Sequence, residues 1–188
     1  MTPSNRIPKA PIILGAGFVA LDAIVDRQGH LLKHWVGGTV ANVLSVLALF
    51  GWEAYPIGRL GQDVAGDLIV KSLQANRVRT DFLMPGPATS TPRIVERWNV
   101  SGDRTHSFLM RCPSCGKYLP RFTSMTIGMF DSMSGRLPNP GVFIFDRVSP
   151  AILKAANHFR RAGALVIFEP NSLTGDRSFG QAVGLSHI

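Results

Sequence analysis

The sequence predicts an α/β fold organised around a parallel sheet, and three patterns predict it. Short apolar runs closed by glycine or a polar turn recur at Ile12 to Gly15, Tyr55 to Gly58, Val142 to Phe145 and Ala164 to Phe168, the pattern of buried strands. Val40, Val43, Leu44 and Leu47 stand at i, i+3, i+4 and i+7, the stripe of an amphipathic helix. The last third repeats strand, helix, strand at βαβ spacing, which requires parallel strands and a right-handed crossover.

Each element has its own local reason. Polar, proline-containing residues 1–11 read as a flexible tail, without the apolar core of a signal peptide. Leu31 to Val36 follows Gln28-Gly29 and reads as an edge or lid strand. Thr39 is placed to cap the helix that begins at Val40, and Gly51 to end it. Arg59 to Asp63 reads as a loop, and a second helix follows from Val64 to Ala75, ending near Asn76. Ile94 to Val100 and Thr105 to Met110 are extended segments around Ser101-Gly102-Asp103, a hairpin signal. Arg111 to Gly141 reads as a loop-rich insertion, although Met125, Met129 and Met133 recur at the spacing of a short packed helix. Ser149 caps a helix with Pro150 at its first position, and Gly163 closes it.

Composition bounds the function. The 188 residues hold 20 Lys+Arg against 12 Asp+Glu, a net charge of +8, but the cations are scattered and form no nucleic-acid footprint. No apolar run approaches the roughly 18 residues of a membrane span. A cytoplasmic protein whose partner is neither nucleic acid nor membrane is expected. Two cysteines make no disulfide framework.

The chemistry-bearing residues fall near strand ends, where ligands of parallel sheets bind. Gly15-Ala16-Gly17-Phe18-Val19-Ala20 fits a dinucleotide loop, but no Asp or Glu lies between Asp26 and Glu53 to take the ribose. Asp22 can accept hydrogen bonds from two sugar hydroxyls at once, or simply shape a turn. Gly37-Gly38 permits close backbone approach to a ligand, and Asn42 follows one helical turn later; a plain helix entry is the bland alternative. Asp146 and Asn171 end two strands on the same rim. Cys112-Pro113-Ser114-Cys115-Gly116 has the form of a zinc knuckle, yet it supplies two of the four ligands that structural zinc needs. His106 is a conceivable third ligand, a dimer would supply four thiolates, and reduced loop thiols are the metal-free alternative.

The order Gly15-x-Gly17…Asp22, Gly37-Gly38-x3-Asn42-x8-Gly51 and Gly58-x2-Gly61-x-Asp63-x2-Gly66-Asp67 resembles the ribokinase-like (PfkB) carbohydrate kinases. The resemblance implies a three-layer sandwich with a parallel central sheet and a small β lid, near residues 31–36 and 94–110, within a domain of residues 12–188. It implies ATP-dependent phosphorylation of a sugar or nucleoside hydroxyl, with ATP and Mg2+ as cofactors. By position, Asp22, Gly37, Gly38, Asn42 and Asp146 would hold the acceptor, while Gly58, Gly61, Asp63 and Gly66 would be architectural. A homodimer through the lid is a further expectation. The family's Gly-Ala-Gly-Asp and Asn-x-x-Glu motifs do not occur in this sequence. The expectation is therefore a C-terminally truncated, acceptor-binding part with negligible kinase activity of its own and no catalytic residue. The alternative is a non-catalytic binding or dimerisation module, with zinc at Cys112 and Cys115.

Overall fold

A computed structural model describes residues 10–86, 89–97, 107–170 and 173–188. Five parallel strands form the central sheet in the order β5-β4-β1-β8-β9: β1 (Ile12–Ala16), β4 (Glu53–Gly61), β5 (Leu83–Gly86), β8 (Val142–Phe145) and β9 (Leu165–Phe168). A second, four-stranded sheet has the order β3-β2-β6-β7, from β2 (Ala20–Val25), β3 (Leu31–Gly37), β6 (Arg93–Arg97) and β7 (Ser107–Leu109).

Strand periodicity divides the central sheet between two helical layers, because successive side chains leave opposite faces. Ile13 and Ile144 face α1 (Thr39–Leu49) and α2 (Val64–Ala75), packing with Val40, Leu44, Ile69 and Leu73. Their neighbours Leu14, Phe143 and Phe145 face the other layer, formed by α3 (Ile127–Ser134), α4 (Pro150–Arg161) and α5 (Arg177–Leu185). There Phe143 stacks on Phe145 at 5.9 Å and lies 4.9 Å from Phe159 of α4, ring centroid to centroid.

The helix boundaries have local causes. Ser149 accepts from the Ile152 N–H at 3.2 Å, with Pro150 at the start of α4, as the sequence predicts. Asp63 begins α2 by accepting from the Gly66 N–H at 2.9 Å, while its other oxygen accepts from the Thr91 N–H at 3.0 Å. One carboxylate thus caps a helix and ties it to the segment entering β6. Gly66 must be glycine for close packing, since a Cβ there would stand 2.4 Å from the Gly61 carbonyl oxygen.

Several expectations require correction. Thr39 does not cap α1: it is the first helical residue, and the cap is Gly38 at φ 101°, with no side-chain cap bond. Arg59 to Gly61 is not loop but the end of β4, held in register by β5. The segment Arg111 to Gly141 contains α3, started by Thr126 and anchored by buried Phe130 and Met133, so it is not loop throughout. In strands β2 and β5 the apolar residues are interrupted, by Asp22 in mid-strand and by Pro85, so their short runs do not stand out as strands. The predicted turn Ser101-Gly102-Asp103, His106, Asn171 and residues 1–9 lie outside the described residues. At the C-terminal end, the His187 N–H donates to Val166 O at 2.8 Å and the Phe168 N–H to Ile188 O at 2.9 Å, so this segment does bond to the β9 edge.

Candidate functional site

The glycine loop after β1 leads into strand β2, not into a helix. That removes the dinucleotide reading of Gly15 to Ala20, which needs a helix N-terminus facing the phosphates. The loop instead serves Asp146. Asp146, one residue past β8, is 2 % exposed, and its Oδ1 accepts from the Phe18 N–H at 2.8 Å. A Cβ on Gly17 would stand 1.8 Å from that oxygen, so only glycine leaves room for the carboxylate. The other oxygen, Oδ2, has the Arg147 guanidinium 3.5 Å away but no hydrogen bond. Burial pushes the Asp146 pKa up, against the opposing pull of the Phe18 N–H and Arg147.

Asp22 is held by the neighbouring hairpin. In the β2–β3 register, Asp22 stands opposite Trp35 and Ala20 opposite Gly37. The Asp22 carboxylate lies over Gly37, where a Cβ would stand 1.8 Å from Oδ2. Its Oδ1 is buried without a hydrogen-bond partner. Burial, reinforced by the nearby charge of Glu96, pushes the Asp22 pKa up to about 6. A half-buried carboxylate with an unused acceptor is costly to keep unless a ligand supplies donors.

Gly38 joins the two carboxylates structurally. It leaves β3 at φ 101° to start α1, and a Cβ there would stand 2.1 Å from the Phe18 carbonyl oxygen. The chain at Phe18 therefore touches Gly38 through its carbonyl and Asp146 through its N–H. Asp22, Gly37, Gly38 and Asp146 thus gather around one stretch of backbone at the helix entry. Asn42 lies one turn into α1 with its side chain exposed, and its N–H donates to Gly38 O at 3.0 Å.

Beside this group is a cavity of about 570 Å³ lined by Phe18 and Arg147 from the rim, Arg93, Ile94 and Leu109 from the smaller sheet, and Phe122. Ile94 is the register partner of Asp22, so both project from the same face of the four-stranded sheet. Arg147 lies over the Phe18 ring at 4.8 Å, and Phe122 meets that ring edge-on at 6.0 Å. Sequence reasoning alone misses Phe18 and Arg147 as site residues. Arg147 follows Asp146 directly, and a cation beside a strand-end carboxylate is the signal that could have found it.

The neighbouring crevice of about 230 Å³ at the ends of β8 and β9 is lined by Asp146 and Asp176 and by the Arg147 cation. The Phe179 N–H at the start of α5 is already taken by Asp176 at 2.8 Å. Cys112 and Cys115 lie in a separate hairpin, with Pro113 against Gly29 at the β2–β3 turn. Among the described residues no three His, Cys, Asp or Glu side chains cluster to hold a metal ion. No described helix is long and apolar enough to cross a membrane.

Residues 16–108 match the family described as pfkB family carbohydrate kinase. The chain is 29% identical over 161 residues to an aminoimidazole riboside kinase of Salmonella typhimurium, an alignment covering 82% of this chain and 47% of that protein. It is 31% identical over 103 residues to a fructokinase of Klebsiella pneumoniae, covering 55% of this chain and 33% of the relative. The chain therefore spans about half the length of the curated relatives it matches, or less. A fructokinase structure from Xylella fastidiosa superposes with a TM-score of 0.70 at 19% identity, covering 93% of this chain and 57% of that one. A ribokinase from Arabidopsis thaliana, complexed with ribose and ATP, superposes with a TM-score of 0.63 at 20% identity, covering 88% and 55%. The two-sheet architecture is thus the ribokinase-like fold.

Proposed function

Because residues 16–108 match the pfkB carbohydrate kinases, we propose that this chain is the acceptor-binding and lid part of an ATP-dependent sugar or nucleoside kinase. The observation that carries the reading is Asp22: half-buried, with Oδ1 unpartnered, and seated on a glycine that cannot be anything larger. A polyol or ribose hydroxyl supplies the donor that this Oδ1 lacks. Gly37 and Gly38 let the acceptor approach the backbone, Asn42 offers an amide one turn further on, and Asp146 contributes a second carboxylate edge. The four-stranded sheet acts as the lid, closing over the roughly 570 Å³ cavity and excluding water from the acceptor.

Phosphoryl transfer depends on positioning and on stabilising the transferred group. In the proposed reaction ATP would supply the phosphoryl group and Mg2+ would neutralise its charge. In this reading none of the described residues is the base for the acceptor hydroxyl. Their part is to hold, orient and desolvate the acceptor, so binding without turnover is expected from these 188 residues. The reading is of a cytoplasmic protein that takes a small molecule, with neither nucleic acid nor membrane as partner. Exposed Leu31, Leu32 and Trp35 on β3 support a homodimer through the lid.

Isothermal titration with fructose, ribose and aminoimidazole riboside tests this reading. At least one should bind, and Asp22→Asn should weaken it by about tenfold or more, the loss of a charge-assisted hydrogen bond. Equal binding by Asp22→Asn, or acceptor-dependent ADP release by this chain alone, would refute the assignment.

A further inference from the structure

The cavity of about 570 Å³ has a charge pattern that a neutral sugar leaves unused. Three arginines line it, Arg93, Arg121 and Arg147, and among the described residues no Asp or Glu does. The rest of its wall is apolar, from Phe18 and Phe122 to Met110 and Leu119 of the hairpin that carries the cysteines. Folding gathers the three cations from distant parts of the chain. The Arg93 N–H donates to Pro120 O at 3.2 Å, which sets the start of β6 beside the segment carrying Arg121. Phe122, next along that segment, meets the Phe18 ring edge-on, and Arg147 lies over the same ring at 4.8 Å. Arg147 is fixed a second time, its Nη1 donating to the Asp146 carbonyl oxygen at 2.8 Å.

The nearby carboxylates leave these cations underused. Asp146 Oδ2 stands 3.5 Å from Arg147 without a hydrogen bond, and Asp63 Oδ2 stands 4.0 Å from Arg93 while accepting from the Thr91 N–H. Arg121 takes part in none of the ion pairs among the described residues. A guanidinium keeps its charge and presents its N–H donors in a planar fork that matches a carboxylate or a phosphate. Apolar walls strengthen such a contact by lowering the local dielectric. We propose that the acceptor carries an anionic group, a carboxylate or a phosphate ester, which Arg93, Arg121 and Arg147 hold in this cavity while its hydroxyls reach Asp22. Ile94, the register partner of Asp22, is part of the cavity wall, so carboxylate and cavity are adjacent. Opposite charges then orient the acceptor, its anion drawn to the arginines and repelled by Asp22. The inference rests on the acceptor reading of Asp22 and deepens it.

Isothermal titration of the full chain with two matched pairs tests it: glucitol against gluconate, and fructose against fructose 6-phosphate. At least one anionic member should bind about tenfold or more tightly than its neutral partner, the gain of charge-assisted hydrogen bonds. The pair that shows the difference tells carboxylate from phosphate. Arg93→Gln combined with Arg121→Gln should abolish the preference and keep the thermal melt, since both side chains are exposed. Asp22→Asn should instead weaken both members of the pair. Neutral sugars or the riboside binding through Asp22, with neither anionic sugar bound more tightly than its partner, would overturn this proposal and leave the acceptor reading intact. A preference that survives the double arginine variant would overturn it as well. So would ATP binding that exceeds that of every sugar and is lost with the arginines, which would assign the cations to the nucleotide. If none of the sugars or the riboside binds, both readings fall.

Discussion

Asp22 shows how much one residue depends on its neighbour across a strand pair. Its carboxylate is tolerated beside β3 only because position 37 lacks a Cβ. With its pKa at about 6, against 3.8 for an ordinary aspartate, the folded state holds the proton more tightly than the unfolded chain. Stability from this group is therefore fully present below about pH 3.8 and is lost as pH rises through about 6. Acceptor binding should follow the opposite course, because the ionised carboxylate is the better acceptor. Affinity should rise with pH through a midpoint near 6, and Asp22→Asn should be flat across that range; titrations between pH 5 and 8 check this. The place of Asp22 after the first strand is read in the sequence either as a hydroxyl acceptor or as a turn residue, and its burial is not legible there. The close seat comes from Gly37 on β3, and the charge that adds to its raised pKa from Glu96 on β6.

At the scale of elements, α1 is the clearest case of a helix readable from sequence whose cap is not. Its apolar stripe is local information, so Val40 to Leu47 can be recognised without any partner. The entry is tertiary: Gly38 turns at φ 101° because the Phe18 carbonyl occupies the space a side chain would need. Gly51, at φ 88° past the other end, has nothing within 4 Å of the point where a Cβ would stand. Gly38→Ala should therefore cost about 3 kcal/mol or more, combining backbone strain with a backbone clash. Gly51→Ala should cost only about 1–2 kcal/mol, from the left-handed backbone alone. Urea denaturation of both variants decides it, and similar losses would contradict the role given to Phe18. The same logic explains the unexpected strands. Ala20 to Val25 includes Asp22 in mid-strand, and Leu83 to Gly86 includes Pro85, so neither shows the apolar run of a buried strand.

In the whole molecule, the central sheet separates two cores, and β8 serves both: Ile144 faces α1 and α2, while Phe143 and Phe145 face α4. Phe143 is 0% exposed and packs on Phe145 and Phe159, so Phe143→Ala should cost about 3–5 kcal/mol. Urea unfolding should show a lower midpoint with an unchanged slope, since one cooperative unit spans the sheet; two separate transitions would argue that the layers unfold apart. By itself the sequence determined the α/β class, the parallel βαβ rhythm and the α1, α2 and α4 helices. These rest on periodicity, caps and turn residues, which act over a few positions. Only the tertiary structure decided that Gly38 rather than Thr39 caps α1, that the glycine loop seats Asp146 instead of a nucleotide, and that Phe18 and Arg147 line the cavity. Each of those depends on groups up to 128 residues apart in the chain, as the Phe18–Asp146 bond is, and no local pattern records a contact of that range.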